Sequence, residues 1–172
     1  SLVAELGLSP GTPIVLMLAV YESRKGHDFI IRAMECVNRE VPSAVLVICG
    51  DGTTEEFERV KFLQETSSVS KHIFLEKHRS DVGKMLVDAT LLVLPSQRNE
   101  SFGYAVLEAM ACACPVVVTD VGGLPEVVEH GWNGFVVGHR DVKNFAESIV
   151  VLLQDKHLRH KMGRRGCQRY LD

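Results

Sequence analysis

Six short runs of β-branched and aliphatic residues constrain this chain more than anything else in it: PIVLMLAV (13–20), AVLVICG (44–50), HIFLE (72–76), TLLVLPS (90–96), PVVVTD (115–120) and GFVVG (134–138). Each is continuously apolar. A strand with one wetted face alternates polar and apolar residues, whereas a strand covered on both faces need not, so the runs read as interior strands of a parallel sheet. Between them lie stretches of helical period or helix-former composition: HDFIIRAMECVNRE, TEEFERVKFLQETS, SDVGKMLVDA, FGYAVLEAMACA and LPEVVEHG, with DVKNFAESIVVLLQ and a charged amphipathic tail at the end. Strand and helix alternating throughout predicts helices on both faces of the sheet and right-handed crossovers. The expected fold is α/β, a single Rossmann-like doubly wound parallel sheet of about six strands over residues 1–172.

Composition narrows the function. The chain is 46% apolar and 24% charged, enough for a core without disulfides or metal. A net charge of −3 with interspersed signs offers no basic field for nucleic acid, and no apolar run is long enough to span a bilayer. The five cysteines, Cys36, Cys49, Cys112, Cys114 and Cys167, are scattered and lack C-x-x-C spacing, which reads as reduced thiols in a cytoplasmic protein. No signal-peptide pattern opens the chain. The start, SLVAELGLSPGTPIV, looks like a helix end or linker entering a domain, so a longer parent protein is expected.

In doubly wound sheets ligands bind beyond the carboxyl ends of the strands, where strand order reverses. The loops to inspect are therefore AVYESRKG, CGDGTT, LEKHRS, LPSQRNESFG, TDVGGLPE and VGHRD. In the fourth, Glu100 precedes a helix expected to open at about Phe102, which would turn the backbone N–H groups of Ser101, Phe102 and Gly103 outward as an anion site. Glu108 follows within an apolar run. A buried carboxylate needs donors, and either ligand hydroxyls or a neighbouring loop or basic side chain could supply them. GDG (50–52) is a tight turn without the G-x-G-x-x-G pattern or the following acid of a dinucleotide fingerprint, which counts against an NAD-type oxidoreductase. The histidines form no metal-ligand spacing, and no D-x-D triplet ends a strand. His157 and His160 with Lys156, Arg159 and Lys161 read as a solvated basic helix face.

The stretch ESFGYAVLEAMACACPVVVTDVGGLPEVVEHGWNGFVV resembles closely the nucleotide-sugar-binding half of retaining glycosyltransferases of the GT-B fold, the group 1 or family 4 type. The likeness extends from PIVLMLAVYESRKGHDFIIRAM to DVKNFAESIVVLLQDKHLRHKMG. It implies a donor-binding domain that takes a hexosyl group from a nucleoside diphosphate sugar such as a UDP- or GDP-sugar, with no cofactor and no metal. It also implies an N-terminal acceptor-binding domain that this chain does not contain, so the chain alone would bind nucleotide without turnover. Membrane contact by the longer protein is left open. By the same resemblance Glu108 binds ribose hydroxyls with Val106 packed nearby. Glu100 lies by the donor sugar and its reacting carbon, the Ser101–Gly103 backbone meets the sugar and distal phosphate, and Lys25 neutralises the diphosphate. His78 and Arg79 are candidates for the base. One departure stands out: Ala19 and Val20 occupy the positions of a Gly-Arg pair whose arginine grips the diphosphate in the family. Arg24 is the nearest substitute, and the rival reading is a degenerate, non-catalytic nucleotide-binding or scaffolding module.

Overall fold

The computed structural model describes all residues 1–172. A short helix α1 (Leu2–Glu5) precedes β1 (Ile14–Leu18), and the chain continues through α2 (His27–Glu40), β2 (Val45–Cys49), α3 (Thr54–Thr66), β3 (Ile73–Glu76), α4 (Val82–Asp88) and β4 (Leu91–Leu94). It closes with α5 (Tyr104–Ala111), β5 (Val116–Thr119), α6 (Leu124–Val127), β6 (Gly134–Val137), α7 (Val142–Gln154) and α8 (Lys156–Leu171). Every expected strand is present and all pair in parallel, in the order β3-β2-β1-β4-β5-β6. The order reverses between β1 and β4, which are adjacent in the sheet although two strands separate them in sequence. The loops after these two strands consequently share one crevice.

The unbroken apolar runs are explained by cover on both faces. Along β1, Val15 and Met17 enter one core of 23 buried residues while Ile14 and Leu16 enter a second of 18, so neither face is left for water. The first core is filled chiefly from α2 and α7, where Phe29 meets Phe145 edge to face at 5.2 Å. Residues of α4, α5 and α6, with Leu2 of α1, fill the second. All five cysteines are free thiols. No helix is long and apolar enough to cross a membrane. In α8, Lys156, His157, His160 and Lys161 are exposed as expected of a solvated basic face. Arg159 departs from it, turning back to donate to the carbonyls of Leu152 and Leu153 at the end of α7.

Because Phe145 is fully buried and locks α7 onto α2, Phe145→Ala is expected to cost about 3–5 kcal/mol, read as a lower urea midpoint at unchanged m-value.

Candidate functional site

The β1–α2 and β4–α5 loops are fastened together across the switch point. Lys25 ends a single 3-10 turn (Ser23–Lys25), and its Nζ donates to Glu100 Oε2 at 2.6 Å. Ser96, wholly buried at the end of β4, donates its Oγ to the same oxygen at 2.7 Å. The two charged side chains keep only 12% and 8% of their exposure, so this is a buried pair. Two backbone-linked bonds run beside it: Gln97 N–H to Arg24 O at 2.7 Å, and Arg24 Nη1 to Asn99 O at 2.9 Å. Burial alone would push the Glu100 carboxyl up, but the bonds from Lys25 and Ser96, with the charge of Lys25, outweigh it and hold the group below its ordinary value.

This closeness depends on residues without side chains. At Gly26, which has φ of +79°, a Cβ would lie 2.1 Å from the carbonyl oxygen of Pro95. At Gly122, φ +58°, it would lie 1.7 Å from the Glu100 carbonyl oxygen, which accepts the Gly123 N–H at 3.1 Å. Both positions combine left-handed backbone with contact no alanine could share. The β5–α6 loop is thus folded against the backbone of Glu100.

The helix after Glu100 begins at Tyr104 with Gly103 as its N-cap, two residues later than the apolar run suggested. Ser101, Phe102 and Gly103 form a bent lead-in, and their N–H groups find no acceptor in the chain, nor do those of Tyr104 and Ala105. Ser101 and Phe102 are exposed. These unpaired donors stand where a helix N-terminus favours negative charge.

Two expectations about this helix need correction. Glu108 is not buried: it is exposed on the rim of a cleft of about 240 Å³ and bonds to no loop or basic side chain. One face of a short helix meets solvent however apolar its neighbours, and Glu108 lies on it. Val106, by contrast, is fully enclosed in the second core, where it cannot meet a ligand. Ala105, one position earlier, lines the cleft together with Ala19, Val20, Gly50, His78, Arg79 and Glu108. His78 is exposed. Arg24 is engaged by Glu22 (Nε to Oε2, 2.5 Å) and by Asn99, so it is not a free replacement for a cation at Val20.

Sequence reasoning missed Ser96 and the Gly122–Gly123 clasp. The signal for Ser96 was its place as the first polar residue after an apolar strand at the reversal of sheet order, visible only once that order is known. Beneath the β1–α2 loop, His27 is fully buried, stacked on Tyr21 at 5.3 Å, with neither ring nitrogen hydrogen-bonded. Burial, then the charge of Arg59, lowers it to about 4. No group of three or more His, Cys, Asp or Glu is disposed to hold a metal ion.

A doubly wound sheet whose reversal point carries a cation, a carboxylate and free helix-start amides is a Rossmann-like domain, and its fold is that of the C-terminal half of GT-B glycosyltransferases. The chain belongs to the glycosyl transferases group 1 family, whose model matches residues 2–169. It is 31% identical over 162 residues to N-acetyl-alpha-D-glucosaminyl L-malate synthase of Bacillus anthracis, covering 94% of this chain and 42% of that protein. It superposes on sucrose-phosphate synthase from Thermosynechococcus elongatus with a TM-score of 0.88 and 26% identity, over 98% of this chain and 43% of that one. It also superposes on Anabaena HepE in complex with UDP-glucose, TM-score 0.89 at 23% identity, over 98% and 46%. The chain therefore spans less than half the length of these proteins.

Lys25→Met should strand a buried carboxylate and cost about 3–5 kcal/mol in chemical denaturation, with much of the loss recovered in Lys25→Met/Glu100→Gln. The wild-type pair contributes fully above about pH 4.5, the ordinary value for Glu100, and its contribution fades as pH falls through the lower folded value. His27 acts at milder pH: the unfolded chain takes up its proton near 6.5 and the folded one only near 4. Stability should accordingly fall between those values by up to about 1.4 kcal/mol per pH unit, a slope that His27→Phe flattens.

Proposed function

We propose that this chain is the donor-binding half of a retaining GT-B glycosyltransferase that moves a hexosyl group from a nucleoside diphosphate sugar to an acceptor held on a second, N-terminal domain. The observation that carries the reading is the meeting of Lys25 and Glu100, 75 residues apart in sequence, beside unpaired helix-start amides at the switch point. A diphosphate at that place is met by the Lys25 ammonium and the N–H groups of Ser101, Phe102 and Gly103. As the bond from the anomeric carbon to the phosphate oxygen breaks, charge grows on the departing diphosphate, where a fixed cation and fixed amides lower the barrier. Freed from Lys25, Glu100 faces the sugar. Glu108, exposed and unpartnered at the cleft rim, accepts from the ribose hydroxyls. HepE, of the same fold and in complex with UDP-glucose, and the N-acetyl-alpha-D-glucosaminyl L-malate synthase named above, a sequence relative, lend the reading support. In this scheme side-chain cations and amides serve the diphosphate, no cofactor takes part, and the reaction belongs to the cytoplasm.

A second reading, a non-catalytic nucleotide-binding or scaffolding module, draws on Val20 and on the engagement of Arg24 by Glu22 and Asn99. Calorimetric titration with UDP, GDP and ADP tests the donor-site reading. Saturable binding of one of them is expected, weakened about 10- to 100-fold by Glu108→Ala. Absence of binding by all of them, or an undiminished affinity in Glu108→Ala, counts against it.

A further inference from the structure

The formal charge of −3 conceals an uneven distribution. Helix α8 carries six of the chain's 19 basic residues, Lys156, Arg159, Lys161, Arg164, Arg165 and Arg169, and none of its 22 acidic ones, which leaves 13 basic residues against 22 acidic ones elsewhere. Three of the six are engaged within the fold. Arg159 donates to the carbonyls of Leu152 and Leu153, Arg165 lies over the Trp132 ring at 5.4 Å, and Arg169 donates to the Glu126 carbonyl at 2.8 Å. The other three, Lys156, Lys161 and Arg164, are exposed and pair with no carboxylate.

These free cations share a face. Residues three, four and seven apart lie on one side of an α-helix, and His157, His160, Lys161, Arg164, Gln168 and Leu171 follow that spacing, all exposed, over ~20 Å of axis. Met162, Gly163 and Gly166 are buried on the opposite side. A Cβ at Gly163 would lie 2.1 Å from the Ala113 carbonyl oxygen, and one at Gly166 would lie 3.2 Å from Met110 Cγ, so the helix is pressed onto the end of α5 with its cations outward. Apolar groups border the row at both ends. At one, Leu171 is 72% exposed and Tyr170 50%. At the other, beside Arg159 and His160, opens a crevice of about 350 Å³ walled by Leu86, Val87, Ala89 and Pro115, and Val87 is 74% exposed.

A row of unpaired cations edged by exposed aliphatic and aromatic side chains fits a surface that presents phosphates in a plane with hydrocarbon just beneath. Nucleic acid offers the phosphates without the hydrocarbon. We infer that the outer face of α8 docks this chain on a membrane surface rich in anionic phospholipid: Lys156, Lys161 and Arg164 meet headgroup phosphates, while Val87, Tyr170 and Leu171 enter the boundary with the acyl chains. The same surface repels the acidic remainder of the chain, which orients the molecule with α8 down. The contact is peripheral, since no helix can cross the bilayer. None of these residues lines the cleft that holds Glu108, so the inference stands apart from the donor-site reading.

Co-sedimentation with vesicles is the test. The chain is expected to bind vesicles of phosphatidylcholine and phosphatidylglycerol in equal parts, less tightly as salt is raised, and to leave vesicles of phosphatidylcholine alone unbound. Lys156→Gln/Lys161→Gln/Arg164→Gln should weaken that binding on the order of 100-fold, because each cation near an anionic surface contributes about fivefold. Its urea midpoint should match that of the unsubstituted chain, since all three side chains are exposed. Val87→Ser/Leu171→Ser should weaken vesicle binding about fivefold or more and leave unchanged any residual affinity for a DNA duplex. Equal binding to the two vesicle compositions, no binding to the anionic one, or a triple variant that binds like the unsubstituted chain overturns the inference. Undiminished vesicle binding in Val87→Ser/Leu171→Ser overturns the assignment to lipid. A DNA duplex held as tightly as the anionic vesicles at equal phosphate concentration gives the face to nucleic acid and overturns it as well.

Discussion

The ion pair between Lys25 and Glu100 ties the end of β1 to the end of β4, and the geometry of the crevice depends on that tie. Parallel strands leave their connecting loops free to diverge in opposite directions where the order reverses, so something must hold the two loops together if both are to face one ligand. Here a lysine and a glutamate do so at 2.6 Å with most of their surface out of water. Desolvating both charges is costly, and the cost is offset only because Ser96 completes the donor set on the carboxylate and the flanking backbone bonds fix the loops that carry the charges. The glycines at 26 and 122 belong to the same arrangement, since each admits a carbonyl oxygen to a place where a Cβ would otherwise be.

Most of the fold was legible in the sequence, for a physical reason. Strands such as VLVIC, buried at every position, have no polar face to preserve and show as unbroken apolar runs, and the helices between them carry enough charge to mark their limits. The helix starts were less legible. FGYAVLEAMACA is apolar from its first residue, but Phe102 is 58% exposed and belongs to the lead-in, and Gly103 in left-handed backbone places the first helical residue at Tyr104. Facing was illegible for another reason: a run apolar on nearly every side carries no periodicity to mark its buried face, and packing puts Val106 in the core and Glu108 in solvent.

The site was legible as a set of residue types and not as a set of contacts. Glu100, Lys25 and the amides between Ser101 and Gly103 could be singled out, yet nothing in the spacing told that Lys25 and Glu100 would neutralise each other. Pairing across 75 residues depends on strand order, which periodicity does not encode. Arg24 shows the same limit: adjacent to Lys25 in the chain, it turns to Glu22 and Asn99. The resemblance to a family supplied roles, and only the three-dimensional arrangement shows which side chains are already occupied.

Under the proposed reading this occupancy makes donor binding an exchange of partners. Lys25 leaves a carboxylate for a phosphate, and Glu100 gives up a cation as the sugar arrives. A diphosphate brings more negative charge than the carboxylate it displaces, and the exchange gains from the five amides between Ser101 and Ala105 that bond to nothing in the free chain. Glu100 stays within reach of Ser96, so its charge is never without a donor during the exchange. With Val20 in place of a second cation, those amides share the phosphate charge with Lys25.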